Sequence, residues 1–381
     1  MNLKKMIPAT ALFAIAATSL HAGVASYDKK FVVEPEVEEE SLCDIIFGLP
    51  TLYSNKEGAF LQEFKLIGRY HGQYHWLDSN QGNNHDWENR RQRLGFSMKF
   101  LDNWDAAFQF NLDFDDGRFF SDIEDFRLRY KVNSNLRLTL GKIKAPITNE
   151  WRTSSNENLT FERSRIINQV VPNRMGGVYA EINTGPWLFE LGAFTNTVDS
   201  DWAQPTFDGG FSLFGSVGYK ADIGTTRLEY LYSDIDTGAS VNVTRGYEHV
   251  VSLNYEGKFD RFGLVADVIF AAGSGNVSDV YGFILMPSYD ITDKLQAVFR
   301  YQIAGSDSSN GFQLQSRYER EAPNLVTSRG DMYQAAYLGL NYRICGDNLK
   351  LMTGVEYTTF EQTGGSDYDA WTTFSGVRVS F

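Results

Sequence analysis

The stretch WTTFSGVRVSF, residues 371–381, carries Trp371, Thr373, Ser375, Val377, Val379 and Phe381 on one parity, with Gly376, Arg378 and Ser380 on the other. Side chains that point alternately to opposite faces mark a strand. One face is largely apolar and the other wet up to the last residue, where the end of a soluble chain would fray. FKLIGRYHGQYHW, residues 64–76, repeats the grammar: Phe64, Leu66, Gly68, Tyr70, Gly72, Tyr74 and Trp76 alternate with Lys65, Arg69, His71, Gln73 and His75, and Ile67 is the one intruder. That run exceeds the roughly 5–6 residues usual for soluble strands.

The pattern recurs at Leu94–Phe96–Met98–Phe100, Phe108–Phe110–Leu112–Phe114 and Phe126–Leu128–Tyr130. It continues over residues 136–143, 176–183, 187–196, 211–221, 225–234, 247–258, 261–272, 280–290, 294–304, 331–344, 349–360 and 370–381. Short connections such as VNSN, NTGP, DIG and CGDN alternate with long ones at 78–89, 115–121, 144–175, 195–210, 235–246, 273–279, 305–330 and 361–369. About sixteen strands with short periplasmic turns and long external loops predict an all-β transmembrane antiparallel barrel. An open edge in lipid would leave backbone groups unpaired, so the last strand is expected to close the ring, with Phe381 in the periplasmic aromatic girdle. A soluble sandwich is disfavoured because Arg, Lys, Asp and Gln on the inner parity would not make a dry core.

At the other end, MNLKKMIPATALFAIAATSLHAGVAS reads as an export signal: Lys4 and Lys5, an apolar run from Met6 to Leu20, then small residues. The run is too short for a membrane helix, which takes about 20 apolar residues, and no later stretch is apolar enough to be one. The expected organisation is a signal peptide over 1–25, an acidic periplasmic segment over 26–59 and an outer-membrane barrel over 60–381. Net charge is −13, which disfavours nucleic acid as a partner. Cys43 and Cys345 both belong on the periplasmic side, where a bridge between them and two free thiols are both open readings. His71 and His75 would sit about 13 Å apart on a strand, too far to share an ion. No G-x-S-x-G or H-E-x-x-H occurs, so neither an enzyme nor a cofactor is indicated.

Charge is unevenly spread. Residues 88–175 hold fifteen Lys and Arg against twelve Asp and Glu, whereas the whole chain is acidic. Arg91, Arg93, Arg127 and Arg129 fall on the lumen parity, and Arg90 is read at a strand start. The longest connection, 144–174, carries Lys144, Arg152, Arg163, Arg165 and Arg174; about 30 residues without regular structure are usually functional. Folded into the lumen, these groups would favour anions, and Arg suits phosphate through its paired donors. Arg227 and Arg300, on later strands, are expected outside the group. Alternatives are a non-specific or sugar-type pore, or a structural or adhesive barrel plugged by its loops.

HDWENRRQRLGFSMKFLDNWDAAFQFNLDFDD (85–116), LRLTLGKIKAPITNEW (136–151) and NLTFERSRIINQVVPNRMGGVYA (158–180) resemble the phosphate-selective porin O/P family. The resemblance is clearest over residues 64–195. It implies a sixteen-stranded homotrimeric porin in the bacterial outer membrane, surrounded by lipid, passing small anions with phosphate or polyphosphate as candidates. Arg90 and Arg91 would then lie near the constriction, joined by basic residues of the third loop. Residues 196–381 are more acidic than a phosphate pore suggests.

Overall fold

A computed structural model describes residues 41–58, 60–198, 205–235 and 246–381. The expected signal segment 1–25, and residues 26–40 of the acidic segment, lie outside them. Sixteen strands of one antiparallel sheet form the barrel wall: β1 (Leu61–Ser79), β2 (Gly82–Phe100), β3 (Trp104–Asn111), β4 (Ile123–Lys131), β5 (Leu136–Ile143), β6 (Met175–Thr184), β7 (Trp187–Val198), β8 (Pro205–Ala221), β9 (Gly224–Ser233), β10 (Tyr247–Phe259), β11 (Phe262–Gly273), β12 (Val280–Asp290), β13 (Leu295–Ser306), β14 (Arg329–Cys345), β15 (Leu349–Gln362) and β16 (Asp367–Ser380). Each pairs with its neighbour in the chain, and β16 pairs with β1 from Ala370↔Ser79 to Ser380↔Arg69. The ring is closed.

Closure runs through the terminal stretch, residues 371–381. Gly68 and Phe381 exchange backbone hydrogen bonds of 3.0 and 3.1 Å, and the Phe381 ring lies where a Cβ on residue 68 would be. Only glycine admits that ring without a shift. Below this pair a short strand, Thr51–Ser54, takes up the remaining edge of β1 opposite Glu63, Phe64 and Lys65. Cys43 is disulfide-bonded to Cys345 at the end of β14, with 5.5 Å between Cα atoms, which decides between the two readings of the cysteines.

The parity argument gives the faces. Leu138, Leu140, Val178, Leu191, Val268 and Leu338 are exposed outward, while Thr139, Glu190, Glu229, Asp267 and Asn341 are buried inward. Three expectations change. Residues 78–89 are not a long loop: β1 and β2 pair as far as Ser79↔Gly82, leaving Asn80 and Gln81 as the turn. Their polarity marks emergence from lipid, not the end of the strand, and Gly82 takes the positive φ of 109° that the turn requires. The alternation of 108–114 overruns β3, which ends at Asn111; in the following loop Phe119 packs on Phe110 and Phe114 on Phe119. The lumen is also not uniformly polar. Phe194, Phe214, Leu231, Ile269, Ile284 and Phe360 point inward and join a dry cluster.

Arginine on the lipid face should therefore be costly. Leu140→Arg is expected to lose about 2–4 kcal/mol of folding free energy if it lies near the bilayer midplane, whereas lumen-facing Ser97→Arg should lose little. Urea unfolding in lipid vesicles compares the two, and equal losses would contradict the assignment of faces.

Candidate functional site: a basic passage beside an inserted loop

Loop 144–174 folds into the barrel because its two faces suit the interior differently. Ile147, Ile166, Ile167 and Val170 are almost wholly buried against the inner apolar residues of the later strands. Two short helices, Asn149–Arg152 and Arg165–Val170, compact the loop, and several of its other backbone groups are met by the wall. The amide of Thr148 donates to Glu229 Oε2 at 2.6 Å, and that of Asn149 to Asp267 Oδ2 at 3.1 Å. On the far side, Lys350 Nζ donates to the Asn158 carbonyl at 3.0 Å, Asn341 Nδ2 to Leu159 at 3.0 Å, and Arg378 Nη2 to Phe161 at 2.9 Å.

Arg300 is the hub of this clasp. It is 2% exposed and donates to the Glu162 carbonyl at 2.7 Å, Thr160 Oγ1 at 3.0 Å and Glu356 Oε2 at 2.9 Å, with Glu150 at 3.4 Å. Arg300, expected outside the group of basic residues, is joined instead to the loop that carries five of them. Parity showed that it pointed inward, but nothing in the sequence showed what would meet it.

The loop leaves open a cavity of about 790 Å³ against the early strands, lined by eleven basic and five acidic side chains. Nine of the ten expected residues line it: Arg90, Arg91, Arg93, Arg127, Arg129, Lys144, Arg152, Arg163 and Arg174. Arg165 instead lines an adjoining cavity of about 580 Å³ among the external loops, which shares Arg90, Asn168 and Arg317 with the first. Arg69 and Arg317 also line the larger cavity, beyond the ten expected residues. Arg69 sits on the polar parity of 64–76, a signal that was available. Arg317 lies in an unpatterned loop, where no signal was.

Arg90 does not open a strand. It sits in the middle of β2 as the extra residue of a bulge, since His71 pairs with Arg91 and Gly72 with Asn89. A bulge sets two residues against one and re-aims a side chain, so adjacent Arg90 and Arg91 both reach the lumen despite opposite parity.

Several of the basic groups are neutralised. Arg90 is held bidentate by Glu162, with one bond of 3.0 Å. Arg152 pairs with Glu190 at 2.7 Å and with Glu229 at 2.5 Å, Arg93 with Glu124 at 2.6 Å, and Arg174 with Glu124 and with Asp125 at 2.6 Å. Others meet no carboxylate among the described residues. Arg91 faces His71 Nδ1 at 3.4 Å, Arg163 donates to the carbonyls of Glu150 and Thr153, Lys144 to that of Trp151, and Arg69 to Ser155. Arg127 Nε has no partner; Arg129, by contrast, keeps a long ion pair with Asp105 at 3.9 Å. Lys144 and Arg163 each lie 5.0 Å from the Trp151 ring centre.

The loop groups titrate accordingly. Burial, reinforced by the charges of Arg163 and Arg174, pushes the Lys144 ammonium well below its ordinary value. Burial lowers Arg163 to about 10. It would raise Glu162, but Arg90's charge and hydrogen bonds outweigh it and hold that carboxyl below the usual range.

Residues 64–233 match the family model of the phosphate-selective porins O and P. The protein is a porin of the bacterial outer membrane. In fold the porin resembles the anion-selective porin of Comamonas acidovorans at 13% identity and a TM-score of 0.59, covering 84% of this chain and 99% of that one. It also resembles the outer membrane channel DcaP of Acinetobacter baumannii (15%, TM-score 0.55, 86% and 99%) and OmpT of Vibrio cholerae (10%, 0.56, 86% and 100%). No curated protein sequence matches the porin significantly.

Removing the hub should release the loop. Arg300→Ala leaves Glu356 and Glu150 without their guanidinium, a change expected to cost about 3–5 kcal/mol. Unfolding in detergent should show that loss and single-channel recording an altered conductance; wild-type values for both would contradict the clasp.

Proposed function

We propose that this porin passes small anions by passive diffusion, with phosphate a candidate solute, through the basic cavity beside loop 144–174. The observation that carries the reading is that Arg69, Arg91, Arg127, Lys144 and Arg163 line one cavity and have no carboxylate partner among the described residues. Fixed cations with donors to spare attract an anion. Spreading the attraction over several groups lets the anion leave again, as conduction requires. An anion beside Lys144 would also favour its charged form, offsetting the burial that opposes it. The family match adds phosphate, and the Comamonas porin carries anion selectivity in its title. No step of bond making is assigned, and the reading is a channel, not an enzyme.

The same reading takes the porin as a homotrimer. Strands β3, β4 and β5 have 8, 9 and 8 residues. Tilted, each reaches roughly 20 Å, short of the apolar band of about 25 Å. Leu138, Leu140 and Phe126 are exposed on this low face. Neighbouring copies would cover it better than lipid, and a trimeric form is on record for the Vibrio OmpT.

Reversal potential across a salt gradient tests selectivity. Removing one charge about 7 Å from a passing ion, in water-like surroundings, changes its energy by about 0.6 kcal/mol, a factor of about three in local anion concentration. The wild-type potential should have the sign of anion preference, and Arg91→Gln with Arg127→Gln should move it towards zero while the barrel still folds. Cation preference, or no shift in the double variant, would leave a general diffusion pore.

A further inference from the structure

The periplasmic rim carries a feature that conduction does not use. Helix Leu42–Gly48 has no buried residue. Leu42, Ile45, Ile46 and Leu49 are all exposed, Leu42 and Leu49 at 75% and 73%. Their spacing of i, i+3, i+4 and i+7 puts them in one stripe, with Leu49 one residue past the end of the helix. Cys43 and Phe47, which are half-buried, point the other way, and Cys43 is bonded to Cys345 at the rim. The helix is thus fixed with its apolar side turned away from the wall it is tied to.

Register shows which way the following residues face. In the short strand Thr51–Ser54, Tyr53 lies opposite Phe64 of β1. Cross-strand partners share a face, and Phe64 has the outward parity of Leu66 and Tyr70, both exposed on the outer wall. Tyr53 is therefore on the lipid side, along the same edge of β1 that Phe381 meets at Gly68. The exposed stripe continues an apolar surface already in contact with lipid. A short amphipathic helix in that position lies in the interface with its apolar side among headgroups and upper acyl chains.

From this geometry we infer that residues 42–53 form an interfacial anchor, stapled to the barrel by the Cys43–Cys345 bridge and embedded by Leu42, Ile45, Ile46 and Leu49 in the periplasmic leaflet. The bridge bears the positional constraint, because a seven-residue helix with so few apolar side chains would hold the interface weakly by itself. Anchoring here also keeps Thr51–Ser54 on the edge of β1 that β16 leaves uncovered.

A nitroxide label reads the surroundings directly. With both native cysteines in the disulfide, full-length porin carrying Ile46→Cys is labelled, reconstituted in phospholipid vesicles and probed with oxygen, which concentrates in lipid, and a water-soluble nickel chelate. Asp44→Cys, two residues away and so about 200° around the helix, is the internal reference. The anchor predicts that oxygen relaxes the Ile46 label more than nickel does, with an oxygen-to-nickel ratio several times that at Asp44. Nickel dominating at Ile46 would put the helix in periplasmic water and overturn the inference. Exclusion of both reagents would put it against another copy of the chain and overturn it equally.

Discussion

Arg300 sets the shape of the conducting space although it does not line it. Its buried guanidinium joins a wall carboxylate, Glu356, to the backbone of loop 144–174. A buried charge tolerates this position only when its donors are met, and the loop supplies the acceptors. Around that hub Lys350, Asn341 and Arg378 hold the carbonyls of Asn158, Leu159 and Phe161. The inserted loop divides the lumen into a packed part and an open part.

That division explains the uneven chemistry of the chain. The strands after residue 187 turn apolar groups inward to receive the loop, and their acids serve it: Glu229 and Asp267 accept loop amides, and Glu356 holds Arg300. These three acids of the second half are therefore spent on structure, and none of them lines the open cavity. The early strands keep their basic residues for the open side. Within it the pairing pattern matters more than the count, because Arg90 and Arg174 are bound to acids while Arg91 and Arg127 are not.

The barrel was legible because period-two alternation writes the face of every strand into the sequence, and all sixteen strands have a counterpart among the segments that show it. What failed were features that parity does not encode. The bulge at Arg90 breaks the period for one residue. The ends of β1 and β2 extend beyond the lipid and carry turn-like polar residues while still paired. Nine of the ten basic residues that strand parity and one conspicuous loop single out lie along one cavity. Arg165 departs since, inside an irregular loop, sequence gives no direction. Which arginines keep their charge unpaired depends on contacts across the lumen, such as Arg90 with Glu162, that span 72 positions in the chain and leave no local trace.

The central claim is that unpaired cations along the passage set its preference and that acids such as Glu162 restrain it. Glu162→Gln keeps the shape and the carbonyl that Arg300 holds, but removes the charge that neutralises Arg90. The most direct measurement is the anion-to-cation permeability ratio of this variant in planar bilayers, set against wild type at the same salt. A ratio raised by about threefold, the effect of one freed charge at roughly 7 Å, is the predicted result. A ratio that stays the same or falls would contradict the account.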